Sequence, residues 1–237
     1  MLIGNASQLV VDRVPIANSV VLPSPAAAPD NVRLITVYLP KAMFENPQKR
    51  FPVIYYLPGL GGTNASFTVG NQVIMDTLID SGQALEMLIV HVDPSLVNGV
   101  DTDGKRRYQG TWYVNSELNG NFEDFMVLDL IPFVDAHYPT IPSGQFRGVV
   151  GQSMGGFGSM YHGIKYPDLY CAFGQASGTP FFIIADSADA SFAPDQPEPG
   201  KTMFVLNSLL IPGIPTSGPN AGKITPDNDP LAFSVFS

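Results

Sequence analysis

The sequence predicts a single domain of the α/β class, in which a mostly parallel sheet carries helices on both faces. Apolar runs of strand length alternate along the chain with segments of helical periodicity, which is the pattern of repeated strand–helix units. Residues 51–57 (FPVIYYL) are almost continuously apolar, as expected of a strand that is buried on both faces. The 237 residues, 45% hydrophobic and 14% charged, suffice for a buried core and argue against intrinsic disorder.

The individual elements follow from hydrophobic periodicity. Strands are predicted at residues 33–39, 51–57, 87–92, 146–151 and 171–176, and helices at residues 69–78, 121–137 and 154–165. In the helix at 69–78, the apolar residues Val73, Ile74, Leu78 and Ile79 share one face, which is the spacing of a helix. Residues 8–22 are expected to add one or two antiparallel strands at the edge of the sheet.

The chain changes character after Ser177, where Pro and Gly recur and only residues 202–210 are coherently apolar. We expect residues 180–237 to be a lid-like or edge-covering tail of the same domain, with one short helix or strand. The strand at 171–176 would then be the last of the sheet, with an unpaired outer edge. Unpaired edges are covered or pair with another chain. We therefore expect the tail to cover this edge or a homodimer to form across it.

Charge and cysteine content exclude several classes of partner. Twelve Lys and Arg against 21 Asp and Glu give a net charge of −9, which disfavours binding to nucleic acid or to anionic membranes. No apolar run reaches the ~18 residues that span a bilayer. We expect no signal peptide in this chain, which leaves the cytoplasm or secretion after removal of a leader equally open. Because Cys171 is the single cysteine of the sequence, an intrachain disulfide and a metal site made of cysteines are excluded. No metal or cofactor is implied.

The strongest motif is G-x-S-x-G, formed by Gly151, Ser153 and Gly155 between the predicted strand at 146–151 and the helix at 154–165. A serine in so sharp a strand-to-helix turn crowds its neighbours, and glycines two residues before and after it remove the clashing Cβ atoms. The serine Oγ then stands above the sheet at the helix N-terminus, where a nucleophile is needed. An ordinary turn that happens to contain serine is the alternative.

A glycine-rich turn, residues 58–62 (PGLGG), follows the buried strand at 51–57. It does not fit a dinucleotide-binding G-x-G-x-x-G loop, because Asn64 occupies the place of the third glycine. It fits an oxyanion-hole loop, in which the Leu60 N–H joins the Met154 N–H around a developing negative charge. A plain tight turn is the alternative interpretation.

Stretches of the sequence resemble the esterase-D-like branch of the α/β-hydrolases, which includes S-formylglutathione hydrolases, feruloyl and acetylxylan esterases, and mycolyltransferases. The matching stretches are VIYYLPGLGG, GTWYVNSELNGNFEDFMVLDLIPFVDAHY and GQSMGGFGSMYHGIKYPDLYCAFGQASG, together covering roughly residues 30 to 180. The resemblance implies an α/β-hydrolase fold, a nucleophile at Ser153, oxyanion donors at Leu60 and Met154, and an acid and a histidine later in the chain. Trp112 and Tyr113 lie in the middle stretch and either line the substrate pocket or pack in the core.

The histidines depart from the family's order. His91 and His137 precede the serine, and His162 lies on the following helix, ~13 Å along its axis from the serine. We therefore expect the family's C-terminal strands, which carry the acid and the histidine, to be missing. His91 is the best substitute base, because it closes the strand at 87–92, although a loop or core histidine with local hydrogen bonds is the interpretation that we favour. The candidate acids in the tail are Asp186, Asp189 and Asp195.

The sequence thus predicts a serine carboxylesterase that hydrolyses a small-molecule ester through an acyl-enzyme on Ser153. A truncated or non-catalytic relative that lacks the acid and the histidine is the alternative, and an acyltransferase is a third interpretation. A base supplied by a second subunit or a separate fragment would also complete the site.

Overall fold

The computed structural model describes residues 6–27, 30–96, 99–100, 106–107, 110–116, 120–178, 181–185 and 202–206. The strands are β1 Gln8–Pro15, β2 Val32–Leu39, β3 Val53–Leu57, β4 Leu88–Val92, β5 Gly99–Val100, β6 Arg106–Arg107, β7 Asn115–Ser116, β8 Gly120–Asn121, β9 Arg147–Gln152, β10 Ala172–Ala176, β11 Phe181–Ala185 and β12 Thr202–Leu206. The helices are α1 Ala42–Glu45, α2 Val69–Asp80, α3 Phe122–Asp124, α4 Ile131–His137 and α5 Met154–Lys165, and a π-helical stretch, Phe125–Leu130, joins α3 to α4.

A six-stranded sheet in the order β1-β2-β4-β3-β9-β10 organises the fold. β1 pairs antiparallel with β2, and β2 antiparallel with β4. β4, β3, β9 and β10 are mutually parallel. The carboxyl ends of these four strands therefore meet at one edge of the sheet, which is where open α/β sheets bind their ligands. This arrangement confirms the predicted mostly parallel sheet flanked by helices.

The core lies on both faces of the central strands. Every residue of β4 is buried, and Val53, Tyr55 and Leu57 of β3 are fully buried on one face. The segment from α3 to α4 covers that face with a set of apolar side chains, namely Phe122, Phe125, Met126, Leu130, Ile131 and Val134. The near-continuous hydrophobicity that predicted these strands is thus explained by burial between layers.

The predicted strands are confirmed within two residues at each end, and residues 8–22 contribute the single edge strand β1. The predicted helix at 69–78 forms as α2, and its apolar face is not buried. Val73 and Ile74 are 57% and 58% exposed, and none of the residues of α2 is buried. The helix is held by polar contacts instead: Asp76 accepts hydrogen bonds from the Tyr38 and Ser7 hydroxyls at 2.7 and 2.6 Å.

The tail contains one strand that the sequence analysis did not predict. β11 pairs antiparallel with β12 in a two-stranded sheet of its own, separate from the main sheet. Within the described residues, β10 has a partner strand only on its β9 side. Coverage of that edge by residues 180–237, most of which lie outside the described part, stays a prediction. Among the helices that the structure describes, none has the length and apolarity required to cross a bilayer.

Candidate active site

Ser153 lies in a strained turn between β9 and α5, with φ 55° and ψ −119°. This conformation is costly for a residue with a Cβ and persists only where its surroundings impose it. A Cβ on Gly151 would lie 2.1 Å from the Gly155 carbonyl oxygen, and one on Gly155 would lie 1.7 Å from the Leu57 carbonyl oxygen. Both positions therefore require glycine. The Ser153 N–H donates to the Ala176 carbonyl at 2.9 Å, which ties the turn to β10.

The glycine-rich turn after β3 lies directly against this serine. A Cβ on Gly59 would come within 3.2 Å of the Ser153 Cβ and 3.8 Å of its Oγ. The turn is closed by the Gly62 N–H, which donates to the Gly59 carbonyl at 3.0 Å, with Gly61 at a φ of +79°. Met154 begins α5, so its N–H has no acceptor within the helix and carries the positive end of the helix dipole. Leu60 and Met154 thus belong to the two segments that flank the Ser153 side chain.

A cavity of about 520 Å³ opens beside Ser153. Its lining is Tyr56, Pro58, Gly59, Leu60, Gly62, Ser66, Phe67, Asn71, His91, Gln152 and Ser153. Three aromatic rings form one wall: His91 stacks on Tyr56 with centroids 4.8 Å apart, and Phe67 lies 5.7 Å from His91. The described lining carries no Asp, Glu, Lys or Arg side chain, so the wall suits a flat and uncharged group.

His91 shares this cavity with Ser153 but lies deeper in it. His91 pairs with Tyr56 of β3, which pairs in turn with Val150 of β9. His91 is therefore two strands away from β9, the strand that leads to Ser153, roughly 10 Å across the sheet, and about 10 Å below the level of Ser153. Burial lowers the pKa of His91 to about 4, and its buried Nδ1 has no hydrogen-bond partner. A neutral imidazole thus forms part of the cavity floor, and its role as a base stays a prediction.

The other histidines are engaged elsewhere. The buried His162 donates from Nε2 to the Tyr113 carbonyl at 2.8 Å, and burial lowers its pKa to about 4. His137 stacks on Phe133 at the end of α4, with its Nδ1 2.8 Å from the Phe133 carbonyl. Both side chains thus contact backbone carbonyls.

Of the two interpretations for Trp112 and Tyr113, pocket lining and core packing, the structure favours core packing for Tyr113, and a pocket role for Trp112 stays a prediction. Tyr113 is fully buried in the main core, because its ring fills the space beside Gly158 of α5. Trp112 is half-buried and packs edge-on against Phe157, with centroids 6.2 Å apart. The core alternative is therefore the correct one for Tyr113. Neither residue is among those that line the cavity.

The sequence analysis missed Tyr56, Phe67 and Gln152 as cavity residues. Tyr56 and Gln152 were identifiable in principle, because each is at the carboxyl end of a strand that leads into one of the two motifs. Phe67 carried no such signal, since its position depends on the turn that follows the glycine-rich segment. The candidate acids Asp186, Asp189 and Asp195 lie outside the described residues.

The chain is similar in sequence and in fold to known esterases. A family model described as "Putative esterase" matches residues 26–198. An endo-1,4-beta-xylanase/feruloyl esterase of Xylanibacter ruminicola is 28% identical over 147 residues, which are 60% of this chain and 19% of that protein. A solved ferulic acid esterase superposes with a TM-score of 0.61 and 26% identity, over 78% of this chain and 64% of the other.

An S-formylglutathione hydrolase from Agrobacterium tumefaciens superposes with a TM-score of 0.54 and 19% identity, over 78% of this chain and 61% of the other. The fold is therefore that of the α/β-hydrolases, and the resemblance to the esterase-D-like branch is confirmed. The chain spans less than two thirds of the length of each of these three relatives.

Proposed function

The chain belongs to the "Putative esterase" family, and from this premise we propose that it hydrolyses carboxylic esters through an acyl-enzyme formed on Ser153. One observation carries the proposal: a serine in a strained strand-to-helix turn lies so near Gly59 that a Cβ on that glycine would come within 3.2 Å of the serine Cβ. That proximity brings a nucleophile and a turn rich in backbone N–H groups to the same side of one cavity.

The chemistry follows from this placement. The Ser153 Oγ attacks the ester carbonyl carbon, and its proton passes to a base as the tetrahedral intermediate forms. The Leu60 and Met154 N–H groups stabilise the oxyanion, a role in which one donor typically contributes a factor of about 10² to 10³ in kcat. Collapse of the intermediate releases the alcohol, which takes up the proton, and water then hydrolyses the acyl-enzyme to the free acid.

The base is proposed to come from one of two places. His91 lies in the same cavity and is neutral at pH 7, so it is able to accept a proton, but the strand register requires a relay between it and Ser153. The second source is a residue outside the described part of the chain or on a second subunit, in the manner of the family's acid and histidine. A His91→Phe variant separates the two, because it keeps the aromatic ring and removes both nitrogens.

The substrate is proposed to carry a planar, uncharged group. The stacked rings of Tyr56 and His91, with Phe67 beside them, support this inference. Two relatives carry feruloyl or ferulic acid esterase in their names. A hydroxycinnamoyl ester such as methyl ferulate is therefore the substrate to compare with p-nitrophenyl butyrate.

The test is turnover of p-nitrophenyl acetate, p-nitrophenyl butyrate and methyl ferulate by the wild-type chain and by Ser153→Ala. We expect turnover to fall at least about a thousandfold in the variant. Ser81→Ala, at the exposed end of α2, is the matched control and should retain wild-type rates. A fluorophosphonate probe should label Ser153 alone; labelling at another residue would contradict the assignment of the nucleophile.

A second candidate, a non-catalytic relative that uses the cavity only for binding, is favoured by the contacts of His162. The first histidine after the nucleophile donates to a backbone carbonyl and is buried. Absence of both turnover and labelling in a folded wild-type protein would establish this candidate over the esterase.

A further inference from the structure

Tyr113 has a backbone conformation that its side chain makes unfavourable. Its φ is +61°, and the preceding Trp112 has a φ of +54°. Bulky residues rarely adopt positive φ, and consecutive ones require compensating contacts. The Tyr113 side chain is fully buried, so those contacts lie in the core rather than in solvent.

The contacts of Tyr113 join the nucleophile helix to the glycine-rich turn. Its hydroxyl donates to the Pro58 carbonyl at 2.7 Å, and its own carbonyl accepts the His162 Nε2–H at 2.8 Å. A Cβ on Gly158 would lie 2.4 Å from the Tyr113 ring, so the ring lies flush against α5. On its other side the ring meets Phe122 edge-on, with centroids 5.6 Å apart.

The Pro58 carbonyl connects Tyr113 to the glycine-rich turn beside Ser153. It immediately precedes Gly59 and Leu60, and a Cβ on Gly155 would lie 2.8 Å from its oxygen. The carbonyl is therefore located over the first turn of α5. Fixing its direction fixes the plane of the Pro58–Gly59 peptide. The next peptide, which carries the Leu60 N–H, is held by the Gly62 N–H, which donates to the Gly59 carbonyl at 3.0 Å. Gly59 joins the two peptides and has the greatest backbone freedom, so both hydrogen bonds are needed to fix the direction of the Leu60 N–H.

We propose that Tyr113 is a positioning residue that holds the Pro58–Leu60 turn in register with Ser153, with His162 as the anchor of Tyr113 on α5. The inference deepens the proposed esterase function, on which its kinetic consequence rests. The turn itself is held whether or not the protein turns over an ester, so the structural consequence is measurable independently.

The kinetic experiment compares Tyr113→Phe with Tyr138→Phe. Tyr138 has a comparable hydroxyl, donating to Asp12 at 2.8 Å, but lies at the end of α4 and does not line the cavity. We expect Tyr113→Phe to lower kcat about tenfold or more, because a misdirected oxyanion donor loses much of its contribution. KM should stay within twofold, and Tyr138→Phe should change neither constant. Equal effects of the two substitutions, or a change in KM alone, would overturn the proposal.

The structural experiment measures amide hydrogen exchange at Gly62, whose N–H closes the turn on the Gly59 carbonyl. Tyr113→Phe should accelerate this exchange at least about tenfold, whereas Tyr138→Phe should leave it unchanged. Exchange within twofold of the wild-type rate in folded Tyr113→Phe would overturn the proposal. An inactive wild type would refute the esterase function alone, because the exchange measurement still decides the positioning role.

A second pair of variants keeps the test open if Tyr113→Phe does not fold. His162→Gln retains an N–H that can reach the Tyr113 carbonyl, and His162→Leu removes it. We expect accelerated exchange at Gly62 in His162→Leu and wild-type exchange in His162→Gln. Identical exchange in both variants would contradict the assignment of His162 as the anchor.

Discussion

The helices α2 and α5 have the same length of 12 residues and opposite relations to the rest of the molecule. α5 buries a long list of residues, namely Met154, Gly155, Gly156, Phe157, Gly158, Ser159 and His162. α2 buries none, and its aliphatic side chains Val69, Val73 and Ile74 are each more than half exposed. The comparison teaches that helical periodicity predicts a helix, whereas burial of its apolar face depends on a neighbouring element.

The difference has a local physical cause. α5 has glycines where backbone meets backbone, so it lies closely against β9, β3 and β10. α2 is attached through side-chain hydrogen bonds, in which Gln72 and Asp76 bind Ser7, and Asp76 also binds Tyr38. The close backbone packing of α5 tolerates little change in side-chain size. The side-chain hydrogen bonds of α2 hold the helix without burying its apolar residues.

The sharpest test of this contrast exchanges one glycine for alanine in each helix. Gly155→Ala should give no folded protein, because its Cβ would meet the Leu57 carbonyl oxygen at 1.7 Å. Gly70→Ala in α2 should raise the free energy of unfolding by about 0.5 to 1 kcal/mol, since its Cβ would meet only the Thr68 Oγ1, at 3.4 Å. Urea unfolding followed by circular dichroism measures both. A stable Gly155→Ala protein would contradict the backbone contact.

Truncating an apolar side chain in each helix should give a smaller contrast. Phe157→Ala should lower the free energy of unfolding by about 3 to 5 kcal/mol, because Phe157 is buried. Ile74→Ala should change it by no more than about 0.5 kcal/mol, because Ile74 is 58% exposed. A loss above about 2 kcal/mol for Ile74→Ala would exceed the usual effect of a surface substitution. It would show that another part of the chain covers α2.

Acidification should lower the free energy of unfolding, because it protonates His162, a buried residue of α5. Its pKa is lowered to about 4 by burial, below the unfolded value of 6.5, so the unfolded chain binds more protons between these pH values. Stability is therefore full above pH 6.5 and is lost as the pH falls towards 4. Between pH 7 and pH 5, one such histidine lowers the free energy of unfolding by about 2 kcal/mol.

His91, whose pKa is also lowered to about 4, should contribute a similar fall. Urea unfolding of His162→Gln at the two pH values should thus show about half of the wild-type decrease. If the free energy of unfolding falls as much in the variant as in the wild type, burial of His162 is not the cause of the pH dependence.

The smallest expected effect concerns the outer edge of β10, which has no partner strand in the described structure. We propose that a homodimer forms across it unless the tail covers it. Phe173, which is 46% exposed on β10, offers a probe: Phe173→Lys should shift a dimer towards monomer in light scattering. A wild-type protein that is purely monomeric at 25.5 kDa would exclude the dimer.

Sequence reasoning was most successful where one residue type is physically required. Gly151 and Gly155 marked the turn at Ser153, because a Cβ at either position would collide with a backbone carbonyl oxygen. In the turn at 58–62, Gly61 adopts a φ of +79°, which glycine tolerates best. Sequence reasoning left alternatives open where position depends on a distant partner. Tyr113 was expected either to line the pocket or to pack in the core, because its location depends on Gly158 and Pro58, far away in the sequence.

The floor of the cavity illustrates a third case. His91 was recognisable as the end of a strand, but its distance from Ser153 depends on the strand order β4-β3-β9, which no local pattern encodes. The exposed face of α2 is similar, because its periodicity is the same whether or not a neighbour covers it.

The hydrogen bond from the Ser153 N–H to the Ala176 carbonyl determines how the protein can be dissected. Gly156 packs so closely on the segment after β10 that a Cβ there would lie 2.7 Å from the Gly178 Cα. A fragment cut before Ala176 would therefore retain the strands from β1 to β9 and the helix α5, yet lose the acceptor that restrains the Ser153 backbone. The shortest unit that preserves the bent conformation of Ser153 thus extends through Gly178.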